Sequence, residues 1–313
     1  MEPLVRDFAS AGPLDLRLTL AVHLRGPRDP TLRFSADGSA WRATRTPDGP
    51  ATLRLVREGE AIRAQAWGPG AGWAIDQTPE LAGALDDAAG FGAAVAGHPL
   101  LRLLHARFPG IRVGRTRRVL EALVPAIIEQ KVTGEEARSA FVELVRRHGE
   151  PAPGPWDDAS ARRLAPLRVP PPPETLSGLP GYAYHPLGLE RRRADAIRFA
   201  AAHADRAEEC AGMPLPDAYA RLRAFPLVGA WTAAEVGLRA LGDPDAVSVG
   251  DFHLCHAVCH ALAGEPRGTD ERMLELLAPF AGHRARVVRL IEVAGIHAPR
   301  RGQRFAPRSI ADM

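Results

Sequence analysis

The sequence has almost no lysine. Of its 40 lysine and arginine residues, Lys131 is the only lysine. A GC-rich coding sequence is sufficient to explain the bias toward arginine. The scarcity still has a chemical consequence, because a mechanism that needs a lysine nucleophile has a single candidate.

Cysteine is also scarce, and long apolar runs are missing. Three cysteines in 313 residues fit a reducing compartment and argue against a disulfide framework. No apolar run approaches the roughly 20 residues that a membrane span needs, and the first residues contain no apolar signal segment. We therefore expect a cytoplasmic, nucleoid-associated protein without membrane contact. The net charge of +3 and the isoelectric point near 9.0 permit a nucleic-acid partner without requiring one.

The chain is long enough for two domains, and its patterning changes once. The first region, residues 1–97, combines strand-length alternating segments with turn signals such as ADGS and TPDGP, which favours an antiparallel sheet. In LDLRLTLAV the leucines at 14, 16, 18 and 20 alternate, which predicts a strand there. The stretch from 98 to 298 has helical periodicity, and residues 299–313 form a basic tail expected to be flexible. The predicted fold class is α+β, a β-rich N-terminal domain followed by an all-α domain.

The helical region contains one glycine-bearing turn between two short helices. FPLVGAWTA begins at Phe225 and leads into an alanine-rich helix for which Gly229 marks the start. Backbone N–H groups at such a turn and helix N-terminus can converge on a phosphate. A plain helical hairpin is the simpler interpretation of the turn by itself. Upstream, TRRVLEALVPAIIEQKV predicts a helix with Thr116 as its N-cap and Pro125 inside it.

The residues that follow the turn carry a resemblance to a known family. FPLVGAWTAAEVGLRALGDPDAVSVGDFHL, LVPAIIEQKVTGEEA and GLERRRADAI together resemble the helix-hairpin-helix (HhH-GPD) DNA glycosylases, specifically the 3-methyladenine DNA glycosylase II (AlkA-like) type. Asp251 follows Gly229 by 22 residues, as the family arrangement requires. The resemblance covers roughly residues 98–294.

The resemblance implies base excision from duplex DNA. A modified base, an alkylated purine above all, would be flipped out of the stack, and the Asp251 carboxylate would stabilise positive charge on the sugar and orient the attacking water. Trp231, Phe252 and Glu235 would line the base pocket. The DNA-binding residues would come from the hairpin and from the turn after the EQKV helix: Leu227, Gly229, Ala230, Gln130, Lys131 and Thr133. The alternative is a protein that keeps this fold and binds DNA without catalysis.

The resemblance also sets expectations about cofactors and partners. Trp231 stands where family members that also cut the backbone have a lysine, so the chain resembles the monofunctional members. The three cysteines do not have the four-cysteine spacing of the iron–sulfur branch, so no cluster is expected. A monovalent cation at the hairpin is the one ion the resemblance suggests. The i,i+4 cysteine and histidine pairs in DFHLCHAVCH are better explained by packing than by zinc. The expected partner is double-stranded DNA, bound by a monomer.

Three departures from the family pattern leave alternatives open. Leu227 replaces a hairpin glycine, and because leucine rarely has a positive φ the turn is expected to be distorted. Lys131 replaces a residue that fills the gap left by the flipped base, and it either pairs with phosphate or fills that space less well. Glu235 replaces an aromatic pocket wall, so it either attracts a cationic or amine-bearing base or is a surface residue. Trp231 is either a stacking surface or a core residue.

Overall fold

The computed structural model describes residues 2–10, 12–155 and 166–299. Within this part, the N-terminal region forms a five-stranded antiparallel sheet in the order β1-β5-β4-β3-β2. Its strands are β1 Leu4–Ala9, β2 Leu32–Phe34, β3 Ala40–Thr46, β4 Gly49–Glu58 and β5 Ala61–Trp67. The turns fall where the ADGS and TPDGP signals predicted them, which confirms the β-rich start of the α+β fold.

Strand β5 shows why this region forms a sheet. Ile62, Ala64 and Ala66 are buried, while Arg63 and Gln65 between them are partly exposed. This period of two places one face of the sheet on a core with Leu53 and Leu55 of β4. Helix α2, Ala71–Leu81, packs on the same core through Ala71, Ala74 and Ile75.

The predicted strand at residues 14–20 is wrong. Leu16–Leu20 is a helix, α1, and Asp15 is its N-cap, accepting a hydrogen bond from the Leu18 amide at 2.9 Å. Leu16 and Leu20 are both buried because an i,i+4 pair lies on one helical face. Alternating leucines over so short a segment satisfy both periodicities, and the capping aspartate decides between them.

The rest of the described chain is mostly helical. The further helices are α3 Phe91–Val95, α4 Pro99–Arg107, α5 Val119–Ile128, α6 Gly134–His148, α7 Pro173–Gly178, α8 Arg191–Ala202, α9 Ala204–Glu208, α10 Leu215–Arg223, α11 Ala230–Val236, α12 Leu254–Ala263, α13 Asp270–Leu277 and α14 Arg284–Val293. A short two-stranded ladder pairs β6 Glu150–Pro151 with β7 Arg168–Val169. None of the described helices has the length and apolarity to cross a membrane.

The helices divide between two cores. Helices α5 to α11 surround one core, which includes Leu123, Ile127 and Ile197. Helices α3 and α4 pack instead with α12 to α14 in a second core that includes Val258 and Leu290. The predicted domain boundary between residues 97 and 98 lies between α3 and α4, and the division into domains remains a prediction. The segment from 242 to 253 connects the two cores, and Asp251 lies on it. Beyond Pro299, the predicted flexible tail lies outside the described residues.

Helix α5 begins later than predicted and is capped from a distance. Its N-cap position is Arg118, not Thr116, and the amides of Val119 and Leu120 donate to the Glu208 carboxylate at 2.9 and 3.1 Å. Burial raises the pKa of Glu208, with Arg118 and the two amides opposing that shift. An acid 88 residues along the chain supplies the cap, so the local sequence could not reveal it. The helix is assigned without a break through Pro125.

Gly237 is the first residue of a π-helical segment, Gly237–Leu241, that extends α11. A Cβ atom there would lie 2.0 Å from the Tyr219 hydroxyl oxygen, whose hydrogen goes to the Asp243 carboxylate at 2.6 Å. We expect Gly237→Ala to lower the free energy of unfolding by about 1–3 kcal/mol, because the tyrosine must move from its partner. Urea denaturation measures this. Gly72→Ala is the matched control, since Gly72 also lies in a helix and a Cβ there meets no atom within 4 Å. Equal unfolding midpoints for the two variants would contradict the prediction.

Candidate active site

The hairpin between α10 and α11 is formed with a strained residue in its turn. Leu227 adopts a φ of 62°, so the leucine itself takes the left-handed conformation that is rare for this residue. That conformation costs an L-residue about 1–2 kcal/mol. Leu227 is partly buried and packs against the α5–α11 core, and this packing offsets the strain. Strain of this kind is concentrated at functional sites.

The N-terminus of α11 is open to ligands. Gly229 is its N-cap residue with φ −88°, and no side chain caps this end of the helix. Gly229 and Ala230 are both exposed. Its φ is one that any residue can adopt. No atom lies within 4 Å of where its Cβ would be, so the backbone here is accessible to a ligand. The backbone N–H groups of this first turn are available to an anion such as a DNA phosphate.

Gln130 joins the turn after α5 to the hairpin. Its side-chain amide donates to the Leu227 carbonyl at 2.9 Å and to the Thr232 hydroxyl at 2.8 Å. Both amide hydrogens are therefore used within the protein, and a DNA contact by Gln130 stays a prediction. Its observed role is to fix the position of the turn that carries Lys131 relative to the hairpin.

Lys131 is exposed and has a φ of 56°. Among the described residues, the other non-glycine residues with positive φ are Leu227 and Arg117. Gln130 thus lies next to one residue with a positive φ, Lys131, and is hydrogen-bonded to another, Leu227. Thr133 is the N-cap of α6 in a capping box with Glu136, because its hydroxyl and amide are both bonded to that residue. Its contact with DNA stays a prediction.

Asp251 lies between the two helical cores and is anchored through one oxygen. Its Oδ1 accepts hydrogen bonds from the amides of His253 and Leu254, both at 2.8 Å, at the start of α12. The side chain is half-buried, and within the described part of the chain Oδ2 has no hydrogen-bond or ion-pair partner. The carboxylate is therefore fixed in orientation with one oxygen remaining for a ligand.

The other two acids of this region are fully engaged. Asp243 accepts the Tyr219 hydroxyl at 2.6 Å and the Asp245 amide at 2.8 Å. Asp245 binds Arg284 and the amides of Gly282 and Arg284. These contacts, which hold loops together, support Asp251 as the acid with a free oxygen.

The predicted base-pocket residues differ in how far they are buried. Trp231 is half-buried in the first turn of α11. Phe252 is 71 % exposed and makes edge contacts with His253 and His256, so an enclosed pocket wall is not what the structure shows for it. The reason is local: Asp251 caps α12, and the next residue points away from both cores.

Glu235 is neither a surface residue nor a free pocket wall. It lies one turn after Trp231 and forms a salt bridge with Arg239, each side chain being 13 % exposed. The Ser248 hydroxyl donates to its other oxygen at 2.5 Å. Burial would raise the pKa of Glu235, but Arg239, Ser248 and Arg25 outweigh it and lower the pKa below its ordinary value. Glu235 is therefore an ionised carboxylate whose two oxygens are already bonded.

Sequence reasoning missed the residues around Glu235. Arg239 donates to the Val22 carbonyl at 3.0 Å, and Arg25 forms a buried ion pair with Glu129. Both arginines line a small cavity between the sheet and α5, together with His23. Burial and the surrounding arginines keep the pKa of His23 well below 6.5. The only sequence signal was the i,i+4 spacing of Glu235 and Arg239.

The cysteine and histidine pairs of α12 do not form a metal-ligand group. Cys255 and Cys259 are buried, and burial raises the pKa of both thiols. His256 accepts a hydrogen bond from the Gly268 amide at 3.2 Å. The described residues contain no group of three or more histidine, cysteine or acidic side chains placed to bind a metal ion.

Comparison with known proteins places this geometry in context. No family model matches the chain. The probable bifunctional transcriptional activator/DNA repair enzyme AlkA of Mycobacterium tuberculosis is 28 % identical over 260 residues, which are 79 % of this chain and 50 % of that protein. The chain therefore spans half the length of this curated relative.

Solved structures show the fold. The 3-methyladenine DNA-glycosylase of Archaeoglobus fulgidus superimposes with a TM-score of 0.76 at 21 % identity, covering 91 % of this chain and 97 % of that one. The 8-oxoguanine glycosylase/lyase of Clostridium acetobutylicum gives 0.67 at 12 % identity, with 93 % and 96 % coverage. The predicted resemblance and the α+β fold class are confirmed, and the fold is common to both kinds of glycosylase.

Proposed function

We propose that this chain, which has the fold of the helix-hairpin-helix DNA glycosylases, is a monofunctional DNA glycosylase that hydrolyses the N-glycosidic bond of alkylated or otherwise modified purines in duplex DNA. The observation that carries the proposal is the state of Asp251. It follows the hairpin Gly229 by 22 residues and uses one oxygen to cap α12, while the other oxygen has no partner in the described part of the chain.

The chemistry follows from that free oxygen. A purine inside a duplex is inaccessible, so the nucleotide must be flipped out before its glycosidic bond can break. As the base leaves with the bonding electrons, positive charge develops on the sugar, and an adjacent carboxylate stabilises it. The same oxygen can accept a proton from the attacking water. An alkylated purine already carries positive charge, so its departure needs little acid catalysis.

The hairpin supplies the DNA contact that carries no sequence information. The uncapped amides at Gly229 and Ala230 bind a backbone phosphate, and the dipole of α11 with its π-helical extension favours the negative charge. The Leu227 carbonyl already accepts a hydrogen bond from Gln130, so a monovalent cation at the hairpin would share that carbonyl. No step of the proposed reaction depends on such an ion.

Replacing Lys131 is expected to change both DNA binding and the stability of the fold. Lys131→Gly removes a charge near the DNA and relieves the cost of a positive φ. We expect the free energy of unfolding to rise by up to about 1 kcal/mol, since the strain of about 1–2 kcal/mol exceeds the extra backbone entropy of glycine. We also expect weaker DNA binding, with the slope of log K against log salt becoming shallower by about 1.

Lys131→Ala is the matched control for that experiment. It removes the same charge and keeps the strained φ, so it should change the salt slope equally without stabilising the fold. Fluorescence anisotropy over a salt series gives the slope, and urea denaturation gives the stability. An unchanged slope in both variants would exclude Lys131 from the DNA contact.

The proposal of a monofunctional enzyme has its own test. Trp231 occupies the first turn of α11, and Lys131 is the only lysine of the chain. Methylated duplex DNA treated with the protein should release free purine, and the strand should stay intact until alkali cleaves it. Strand breaks before alkali would show a lyase. DNA binding without any free base would favour the non-catalytic alternative.

A further inference from the structure

The contacts of Glu235 continue into the segment that carries Asp251. Ser248 donates its hydroxyl to the Glu235 carboxylate at 2.5 Å, and the Ser248 backbone carbonyl accepts the Asp251 amide at 3.2 Å. One residue therefore connects the two acids, with its side chain bonded to Glu235 and its main chain bonded to Asp251.

The other end of this network is fixed to the N-terminal region. Arg239 pairs with Glu235 and donates to the carbonyl of Val22, which lies in the short 3-10 turn that follows α1. Glu235 and Arg239 occupy successive turns of the same helix, and the π-helical segment lies between Glu235 and Ser248. Insertions of this kind recur at functional sites because they redirect side chains. The Asp251 segment is thus connected through Ser248, Glu235 and Arg239 to Val22.

We propose that Glu235 is a positioning residue, which orients Asp251 through Ser248 and does not contact the flipped base. This inference rests on the proposed glycosylase function. Two observations separate it from a base-reading role. Both Glu235 oxygens already have partners, and the carboxylate is largely enclosed. A base edge would have to compete with a charge-assisted bond to Arg239, which is among the stronger hydrogen bonds in proteins.

The choice of substitution decides how sharp the test is. Glu235→Gln leaves Arg239 buried without its counter-charge, so loss of activity in that variant could reflect loss of folding. Ser248→Ala removes only the hydroxyl that joins Glu235 to the Asp251 segment. Ser248→Thr keeps a hydroxyl and serves as the conservative rescue. Ser177→Ala, which removes a hydroxyl from α7, is the matched control.

The kinetic test measures single-turnover base release with protein in excess over methylated duplex DNA. We expect Ser248→Ala to slow release about tenfold, with Kd for DNA unchanged, and Ser248→Thr to restore most of the rate. In an Asp251→Asn background the same Ser248→Ala change should have no further effect, because Glu235 acts through Asp251. An equal tenfold loss in that background would overturn the proposal. The proposal would also be overturned if Ser248→Ala slowed release of a cationic base but not of a neutral one such as hypoxanthine. That pattern marks a residue that reads the base.

Hydrogen exchange tests the same inference without using activity. The Asp251 amide donates to the main-chain carbonyl of Ser248, and the Ser248 hydroxyl holds that residue in place. Ser248→Ala should therefore speed hydrogen exchange of the Asp251 amide at least severalfold, while Ser177→Ala leaves it unchanged. Unchanged exchange at Asp251 in Ser248→Ala would refute the positioning role. If the wild-type protein releases no base, the proposed function fails, and the exchange result still decides whether the Glu235 network fixes the Asp251 segment.

Discussion

Asp251→Asn is expected to slow base release sharply and leave the fold intact. The asparagine side chain keeps an oxygen that can accept from the His253 and Leu254 amides, so the cap of α12 survives. It loses the charge that stabilises the sugar and the group that accepts a proton from water. Such groups contribute about 10²–10⁴-fold to rate, so single-turnover release from methylated DNA should fall by that factor.

Asp251→Ala separates the two roles of the same carboxylate. Alanine removes the cap as well as the charge, so the free energy of unfolding should fall by about 0.5–2 kcal/mol while the rate falls as in the asparagine variant. Asp217→Asn, on the exposed first turn of α10, is the control that changes neither quantity. If the asparagine variant released base at the wild-type rate, Asp251 would have no part in the chemistry.

Asp86→Ala is expected to have the largest effect on stability. Asp86 forms a two-point ion pair with Arg286 of α14, at 2.5 and 2.6 Å, and also accepts the Val113 amide at 2.9 Å. The two side chains are only 5 % and 3 % exposed. Removing one partner of such a pair leaves the other charge buried, which costs about 3–5 kcal/mol.

A matched control is available on the surface. Arg6 and Asp76 form a salt bridge whose side chains are 55 % and 69 % exposed. Asp76→Ala should lower the free energy of unfolding by less than about 1 kcal/mol, because water and salt screen an exposed pair. Urea denaturation of the two variants measures the difference. Similar losses for both would show that burial does not govern the strength of the Asp86 pair.

Local patterning predicted most of the fold. The strands of the sheet and the long helices follow periodicities of two and 3.6 that their buried faces require. Residues 14–20 were misassigned because a five-residue helix is too short for its period to exclude alternation. The cap of α5 could not be predicted either, because Glu208 meets Val119 only after the chain has folded.

The candidate site was predictable where a single segment determines it. The hairpin and Asp251 lie within one stretch of sequence, and the resemblance of that stretch to the glycosylases pointed to both. Residues whose contacts come from distant segments could not be placed in this way. Gln130 bonds to a hairpin 97 residues away, and Glu235 bonds to Ser248, whose position depends on the loop between the two cores. Their partners could be identified only once the chain had folded.

The measurement that tests the central claim most directly is identification of the free product. Purified wild-type protein is incubated with methylated duplex DNA, and the soluble fraction is analysed by mass spectrometry for 3-methyladenine and 7-methylguanine. The account predicts free modified purine from the wild type, an equal amount of alkali-sensitive abasic sites, and about 10²–10⁴-fold slower formation of both products by Asp251→Asn. DNA that stays bound and intact, with no purine released by the wild type, would contradict it.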